Sequence, residues 1–270
     1  MKNSLRQCIT TATGDGKGGQ SVNRQAPQGC CAPGCTSMKL CNAHIIPRGF
    51  ARSLSSPGGH NRVVSDIGSK RAKQPLGVFD PEILCASCDG KLGLIDEYAI
   101  LFCGSLPATS NLPPSAILRH APFDGAEFAR AMLAILWRAS ISRRDEFAFL
   151  DLGPYERRAA AVLFDEAPLS SMPEFDVVLY RYASLEHDAR KFIFMPLRIR
   201  SGAVNAFVIG LGGFVVWAKM DQRPIDRLVA PYAINAANSL AAPVIEFERS
   251  AEYDYFKQAA RADRRRRHPG

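Results

Sequence analysis

The side chains with the clearest capacity for chemistry are the cysteines, of which the chain has eight. Seven of them fall into an early and a late group, formed by Cys30, Cys31, Cys35 and Cys41, and by Cys85, Cys88 and Cys103. Clustered thiols in a reduced compartment more often bind a metal or take part in catalysis than form disulfides. Their spacing therefore decides which chemistry is open to them.

The late group contains a pair with the spacing of a zinc-binding turn. Cys85 and Cys88 are separated by two residues, so both thiolates of one turn can reach a single tetrahedral ion. In the early group, a Pro-Gly dipeptide predicts a turn that brings Cys35 close to a preceding cysteine. The two turns together predict a structural zinc site of Cys30, Cys35, Cys85 and Cys88, with Cys31 as an alternative to Cys30.

The distribution of charge indicates a polyanionic partner. The formal net charge is +8 at pH 7. Residues 1–105 contain 12 Lys and Arg against 7 Asp and Glu, residues 106–250 contain 16 of each, and residues 251–270 contain 6 against 3. A chain that is basic at both ends and neutral between them is typical of contact with nucleic acid. We therefore expect DNA as a partner.

Two features favour a cytoplasmic protein that does not enter a membrane. The most apolar stretch, residues 203–220, is interrupted by Asn205 and by glycines, so it falls short of the run of about 18 apolar residues that a membrane span needs. The first residues lack the apolar centre of a secretory signal. A cytoplasmic location follows as an expectation.

The residues between the two cysteine turns resemble a known enzyme family. AHIIP, which contains His44, is followed by a variable stretch and then by LCASCD, which contains the late cysteine pair and Asp89. This order resembles the HNH endonuclease superfamily, the ββα-metal or treble-clef nucleases. The resemblance covers residues 30–103, a little over a quarter of the chain. It implies an endonuclease that hydrolyses phosphodiester bonds of DNA with a divalent metal ion.

The family pattern also implies roles for single residues. His44 falls at the position of the general base that activates water, a role that suits a neutral imidazole. Asp80 falls where the family has an Asn that orients this histidine. Asp89 falls at a ligand position for a hard divalent ion, Mg²⁺ or Mn²⁺. Arg48 and Lys91 would lie near the phosphates of the nucleic acid backbone.

Two departures from the pattern keep a second interpretation open. Ala43 stands where many members have an Asp or His ligand, and Asp80 stands in place of Asn. We consider His60 and Asn61 as a replacement for the missing ligand. The alternative is a catalytically inactive module that retains zinc and binds nucleic acid or a protein, with Asp89 only capping a helix.

The expected fold class is α+β, with a small zinc-stabilised treble-clef (ββα-metal) domain followed by a separate α+β domain. Apolar residues between the cysteine groups are too sparse for a full core, so metal must stabilise that part. Four prolines in residues 104–122 indicate a linker. The expected organisation is a disordered tail at 1–25, a zinc domain at 26–105, a linker at 106–122, an α+β domain at 123–250 and a basic tail at 251–270.

Periodicity predicts one helix at the end of the zinc domain and the elements of the second domain. Helices are expected at 94–102, from 123 to about 139 with Asp124 as its cap, at 154–164 and at 232–240. Strands are expected at 176–183, 192–199, 204–210 and 214–219, the last two forming a hairpin about Gly212 and Gly213. Cys41 and Cys103 are interpreted as small buried apolar residues. The second domain is a candidate surface for a homodimer or another protein.

Overall fold

The computed structural model describes residues 29–53, 78–108, 112–165 and 167–267. The tail predicted for residues 1–25 lies outside them. The described helices are α1 (Arg48–Ser53), α2 (Ala86–Ser105), α3 (Gly125–Ile141), α4 (Glu156–Phe164) and α5 (Ala251–Arg267). The described strands are β1 (Ala43–His44), β2 (Phe79–Asp80), β3 (Ile117–His120), β4 (Phe175–Ala183), β5 (Phe194–Ser201), β6 (Val204–Leu211), β7 (Phe214–Met220) and β8 (Leu240–Glu246). The fold is α+β, and none of the described helices is long and apolar enough to cross a bilayer.

The first part of the chain is a short antiparallel ribbon followed by a long helix. Strand β1 pairs with β2 so that Ala43 lies opposite Asp80 and His44 lies opposite Phe79. Backbone hydrogen bonds extend this ribbon on both sides, from Ile45 N to Val78 O and from Cys41 N to Leu84 O. Helix α2 begins immediately after the ribbon ends. The order of elements is therefore strand, strand, helix.

The remainder of the chain is built on a six-stranded sheet. Its strand order is β3-β8-β4-β7-β6-β5. Strands β4 and β8 are parallel, and the other neighbouring pairs are antiparallel. Side chains alternate between the two faces of a strand, and here both faces carry buried residues. One face packs against α2, α3 and α4, and the other carries a smaller cluster that includes residues of α5.

A tight turn closes the central hairpin as expected. Gly212 and Gly213 have φ values of 58° and 81°, and the flanking residues Leu211 and Phe214 are paired. Positive φ at both central residues is what a type I′ turn requires, one of the two common turns of two-residue hairpins. A Cβ atom on Gly212 would also lie 2.6 Å from the Cβ of Cys103. The turn therefore packs directly onto α2, where only a glycine fits.

The two predicted domains share one hydrophobic core. A continuous buried cluster extends from Cys30 to Ala242 and includes α2, α3 and one face of the sheet. An aromatic group at its centre joins α2, α3 and β7, with ring centroids 4.8–6.5 Å apart in Phe102, Phe123, Phe128 and Phe214. The structure therefore does not set the zinc-binding part apart as a separate unit.

A buried ion pair lies between α2 and α3. Arg138 donates two hydrogen bonds to Asp96, from its two terminal nitrogens to the two carboxylate oxygens, at 2.7 and 2.9 Å. The two side chains are 2% and 5% exposed. Burial raises the pKa of Asp96, while the adjacent Arg138 opposes that shift. Burying each charge is costly, and the other charge of the pair is the main group that offsets this cost.

Most of the predicted elements are confirmed. Helix α3 begins after Asp124, whose carboxylate accepts a hydrogen bond from Glu127 N at 3.0 Å, the expected cap. The helix expected at 154–164 is α4, preceded by a 3₁₀ turn at Gly153–Tyr155. The four expected strands are β4 to β7, and their ends differ from the expected ones by at most two residues. The helix expected at 94–102 is the later part of α2, which begins at the late cysteine pair.

Three expectations need correction. The segment predicted as a linker contains β3, which pairs with β8 along its whole length. The helix expected at 232–240 is absent, because the side chain of Asn235 accepts from Val177 N and donates to Phe175 O, which fixes this segment beside β4. The segment expected to be a basic tail from residue 251 forms a helix, α5, as far as Arg267.

Substitution of Arg138 by Ala should lower the free energy of unfolding by about 3–5 kcal/mol, because Asp96 would remain buried without a partner. Replacing both residues by apolar ones, Asp96→Leu with Arg138→Met, should restore most of this loss. Lys257→Ala serves as the control, since its ion pair with Asp254 is exposed and should be worth less than about 1 kcal/mol. Urea unfolding would measure all three. Equal stability of Arg138→Ala and the wild type would contradict the assignment.

Candidate metal centre

Four cysteines converge at one point in the structure. The sulfur atoms of Cys30, Cys35, Cys85 and Cys88 all lie within 4.8 Å of one another. Those of Cys35 and Cys85 are 3.8 Å apart. A tetrahedral zinc ion with Zn–S bonds of about 2.3 Å holds its sulfurs about 3.8 Å apart. Both the donor type and this spacing fit zinc, so the four cysteines could hold such an ion.

The early pair is positioned by a tight turn. Cys35 N donates to Ala32 O at 3.1 Å, which closes the turn, and Gly34 has a positive φ of 67°. Cys30 N donates to Ser37 O at 2.9 Å and so returns the chain towards the ribbon. The Pro-Gly dipeptide thus produces the turn that the sequence predicts, with Cys30 and Cys35 at its two ends.

The late pair is positioned by the start of α2. Cys85 is the residue before the first turn of the helix, and Cys88 lies within that turn. An antiparallel bridge joins Cys85 to Leu40, which fixes the helix start beside the segment that follows the early pair. The ribbon therefore brings together two cysteine pairs that are about fifty residues apart in sequence.

The surroundings of the sulfur atoms favour thiolate at one position. The backbone N–H of Cys88 donates to the sulfur of Cys85, and with the adjacent thiols it lowers the pKa of Cys85 to about 6. Cys85 N in turn lies 3.4 Å from the sulfur of Cys30 and donates to it. Burial raises the pKa of Cys30 and Cys88. Backbone donors at a helix N-terminus stabilise negative sulfur, which is the form that binds a metal.

The structure resolves the choice between Cys30 and Cys31. Cys31 is outside the four-sulfur group, its backbone N–H donates to Ile83 O, and burial raises the pKa of its thiol to about 11. Cys103 is buried, as expected, and burial raises its pKa to about 12. Cys41 is only half-buried. Cys30 is therefore the candidate ligand of the early turn.

The residues expected to form a catalytic group do not share one face of the ribbon. Since directly paired residues of an antiparallel ribbon project to the same side, Asp80 lies with Ala43, and His44 lies with Phe79 on the other side. Ser142 Oγ and Arg143 N donate to one oxygen of Asp80, and Glu82 N donates to the other. Asp80 thus connects β2 to the end of α3, and the predicted role of orienting His44 finds no support in this geometry.

Asp89 and His44 each interact electrostatically with a third residue, Asp96. Asp89 is on the first turn of α2, and burial raises its pKa. The negative charge of Asp96, two turns later, adds to the rise in the pKa of Asp89, whereas His44 opposes the rise in the pKa of Asp96. Among the described residues, however, neither His44 nor Asp89 belongs to a group of three ligands within 4.8 Å. These residues alone do not fit a catalytic ion.

The expected phosphate contacts are on the surface. Arg48, at the start of α1, and Lys91, on the first turns of α2, are both exposed. His60 and Asn61, considered as replacement ligands, lie outside the described residues. Arg48 and Lys91 are therefore accessible to a partner, although no contact in the structure reports on one.

Sequence reasoning missed two groups of polar residues. The first group is Asp96 and Arg138, which lie on otherwise apolar faces of their helices. A signal for it was present, because an acid beside buried residues such as Ile95 and Ala99 needs a buried partner. Glu186, His187 and Glu248 have ligand atoms within 4.8 Å of one another. Glu248 lies about sixty residues after Glu186 and His187, in the turn that follows β8. No local spacing in the sequence therefore predicts this second group.

Comparison of the chain with family models, with curated proteins and with solved structures gives no match. The functional argument therefore depends on the residues and their geometry.

Purified protein should contain one zinc ion per chain, and Cys88→Ser should lose most of it, because three sulfurs hold the ion less well than four. Cys31→Ser is the matched control, since it removes a neighbouring thiol outside the group and should retain the wild-type zinc content. Elemental analysis of metal per mole of protein would measure each. Equal zinc in Cys88→Ser and Cys31→Ser would rule out the assigned ligand set.

Proposed function

We propose that residues 29–105 include a zinc-binding treble clef of the HNH type and that this module binds nucleic acid. The observation that carries the proposal is the convergence of four cysteine sulfurs, two from a turn before the ribbon and two from the helix after it. The order of turn, ribbon and helix, with both sulfur pairs at the ends of the ribbon, is the arrangement that the resemblance implies. Zinc has a structural role in it, since four sulfurs leave no position for a substrate.

The surface of the module supports an anionic partner. Its described basic side chains are all exposed, namely Lys39, Arg48, Arg52 and Lys91. Of the five described acids in the same part, Asp80 and Asp96 are buried and hydrogen-bonded to groups of α3 or the residues just after it. Burial thus removes negative charge from the surface but leaves the positive charge there. The accessible surface is more basic than the sequence count alone indicates, which favours phosphate contacts.

Hydrolysis of DNA is the second candidate function, and one observation favours it. His44 is placed on the first strand of the ribbon, the position at which the family has its general base. The described residues do not form a site for the divalent ion, and Asp80 is on the other side of the ribbon. Binding therefore has more support than hydrolysis, and the two functions require separate tests.

The full chain should bind duplex DNA with an affinity that falls steeply as salt concentration rises. The double variant Arg48→Gln, Lys91→Gln should reduce the slope of log affinity against log salt by about 2, one for each lost phosphate contact. Arg227→Gln, an exposed arginine outside the module, is the control and should change the slope by less than about 1. Fluorescence anisotropy over a salt series would measure this. No binding by the wild type at physiological salt would refute the proposal, and identical slopes would exclude this surface.

If His44 is a general base, the wild type should nick supercoiled plasmid in the presence of Mg²⁺ or Mn²⁺, and His44→Ala should lose at least about 100-fold in rate. His120→Ala removes an imidazole on β3 and should keep the wild-type rate. Gel analysis of the plasmid forms over time would give the rates. Equal cutting by the wild type and His44→Ala would contradict the catalytic role, and no cutting by either would leave binding as the function.

A further inference from the structure

Glu186, His187 and Glu248 form a second group of side chains that can ligate a metal, outside the four-cysteine group. Their ligand atoms all lie within 4.8 Å of one another. Glu186 and His187 belong to the loop after β4, and Glu248 lies in the 3₁₀ turn between β8 and α5. The group therefore joins two segments that are about sixty residues apart in the chain.

His187 is held in this group by its neighbours. Its ring packs against Phe192, Phe247 and Tyr253, with ring centroids 5.8, 6.3 and 5.7 Å apart. Its Nε2 atom lies 3.2 Å from the hydroxyl of Tyr253 and 4.0 Å from Oε2 of Glu186. The ring therefore directs Nε2 towards the carboxylate of Glu186, and an imidazole with a fixed orientation is a preorganised ligand.

Glu248 is oriented by a hydrogen bond that also involves His187. Its Oε1 atom accepts a hydrogen bond from Ser184 Oγ, and the same Oγ accepts one from His187 N at 2.9 Å. The ligands of metal sites are commonly fixed by hydrogen bonds of this kind. The carboxylate of Glu248 thus has one oxygen engaged by the protein and a second oxygen to offer to an ion.

The charges of this group indicate a cation as its partner. Two carboxylates whose oxygens lie this close repel one another. Among the described residues, no Lys or Arg forms an ion pair with Glu186 or Glu248, and Arg249 pairs with Glu246 instead. His187 offsets one of the two charges only when it is protonated. The side chains of Glu186 and His187 are 73% and 35% exposed, so an ion can enter from solvent.

We propose that Glu186, His187 and Glu248 bind one divalent transition-metal ion, of which Mn²⁺ and Zn²⁺ are the best suited. Carboxylate oxygen favours Mn²⁺ and imidazole nitrogen favours Zn²⁺, so the mixed set accepts either. Bonds of about 2.1 Å place the ligand atoms of one ion about 3–4 Å apart, a spacing that the exposed Glu186 reaches by a change of rotamer. Three protein ligands leave positions for water. The bound ion joins the loop after β4 to the turn before α5.

Mn²⁺ is a selective probe of this group, because thiolates prefer zinc and the four-cysteine site therefore keeps its own ion. The full, zinc-loaded protein should bind Mn²⁺ with half-saturation below about 1 mM. The EPR signal of free Mn²⁺ during a titration measures this binding. Saturating Mn²⁺ should also raise the unfolding temperature, because the ligands from the two segments meet only in the folded chain.

Two variants test the ligands. His187→Phe keeps the ring but removes the nitrogen ligand, and Glu248→Gln keeps an acceptor for Ser184 but removes the charge. Each should weaken Mn²⁺ binding at least about tenfold. The matched controls are His120→Phe on β3 and Glu246→Gln, which remove an imidazole and a carboxylate outside the group. They should change the affinity by less than about threefold.

Two results would overturn the proposal. The first is no binding of Mn²⁺ by the wild type up to about 1 mM. The second is wild-type affinity in either His187→Phe or Glu248→Gln, which would place the ion elsewhere in the chain, such as beside Asp89. The two variants change different ligands, so the test holds if one of them does not fold. Neither result bears on nucleic acid binding, since these residues belong neither to the cysteine site nor to the ribbon.

Discussion

The convergence of the four cysteine sulfurs is the constraint on which the first part of this structure depends. The paired strands of the ribbon contribute only Ala43–His44 and Phe79–Asp80, and so short a two-stranded ribbon is at best marginally stable in water. A structural zinc ion contributes roughly 10–16 kcal/mol of apparent binding free energy in small zinc-binding peptides. An ion bound by the four sulfurs would join the turn before the ribbon to the helix after it and would account for an ordered ribbon with so few strand hydrogen bonds.

Helix α2 transmits this constraint to the rest of the chain. It begins at the cysteine pair, pairs with Arg138 through Asp96 near its middle, and near its end packs Cys103 against the turn at Gly212. One helix thus contacts the candidate metal centre, the buried ion pair and the central hairpin. An ion bound at the four sulfurs would therefore be coupled to the packing of α3 and the sheet, which would not hold for a zinc domain on a flexible linker.

The sequence was sufficient wherever structure depends on residues close together in the chain. The spacing of Cys85 and Cys88, the cap at Asp124 and the glycine pair at 212–213 each act within one turn, and each has the expected form. It was insufficient for pairings over long distances. The four prolines near β3 indicated a linker, because the pairing of β3 with β8 cannot be seen in the local sequence. Likewise, no residue near Asn235 indicates that its side-chain amide forms hydrogen bonds with the backbone of β4. These partners are more than fifty residues away.

The same distinction determines how far the HNH resemblance extends to catalysis. A motif can match along the sequence while the register of two strands decides which side chains meet, and in this ribbon the register separates Asp80 from His44. The nearby described carboxylate on the side of α2 is Asp96, but both of its oxygens already accept hydrogen bonds from Arg138. The ribbon therefore does not place the Asp80 carboxylate where the resemblance needs it to orient His44. Among the described residues, therefore, the scaffold and the basic surface are better developed than the catalytic group, and nucleic acid binding requires fewer assumptions than hydrolysis.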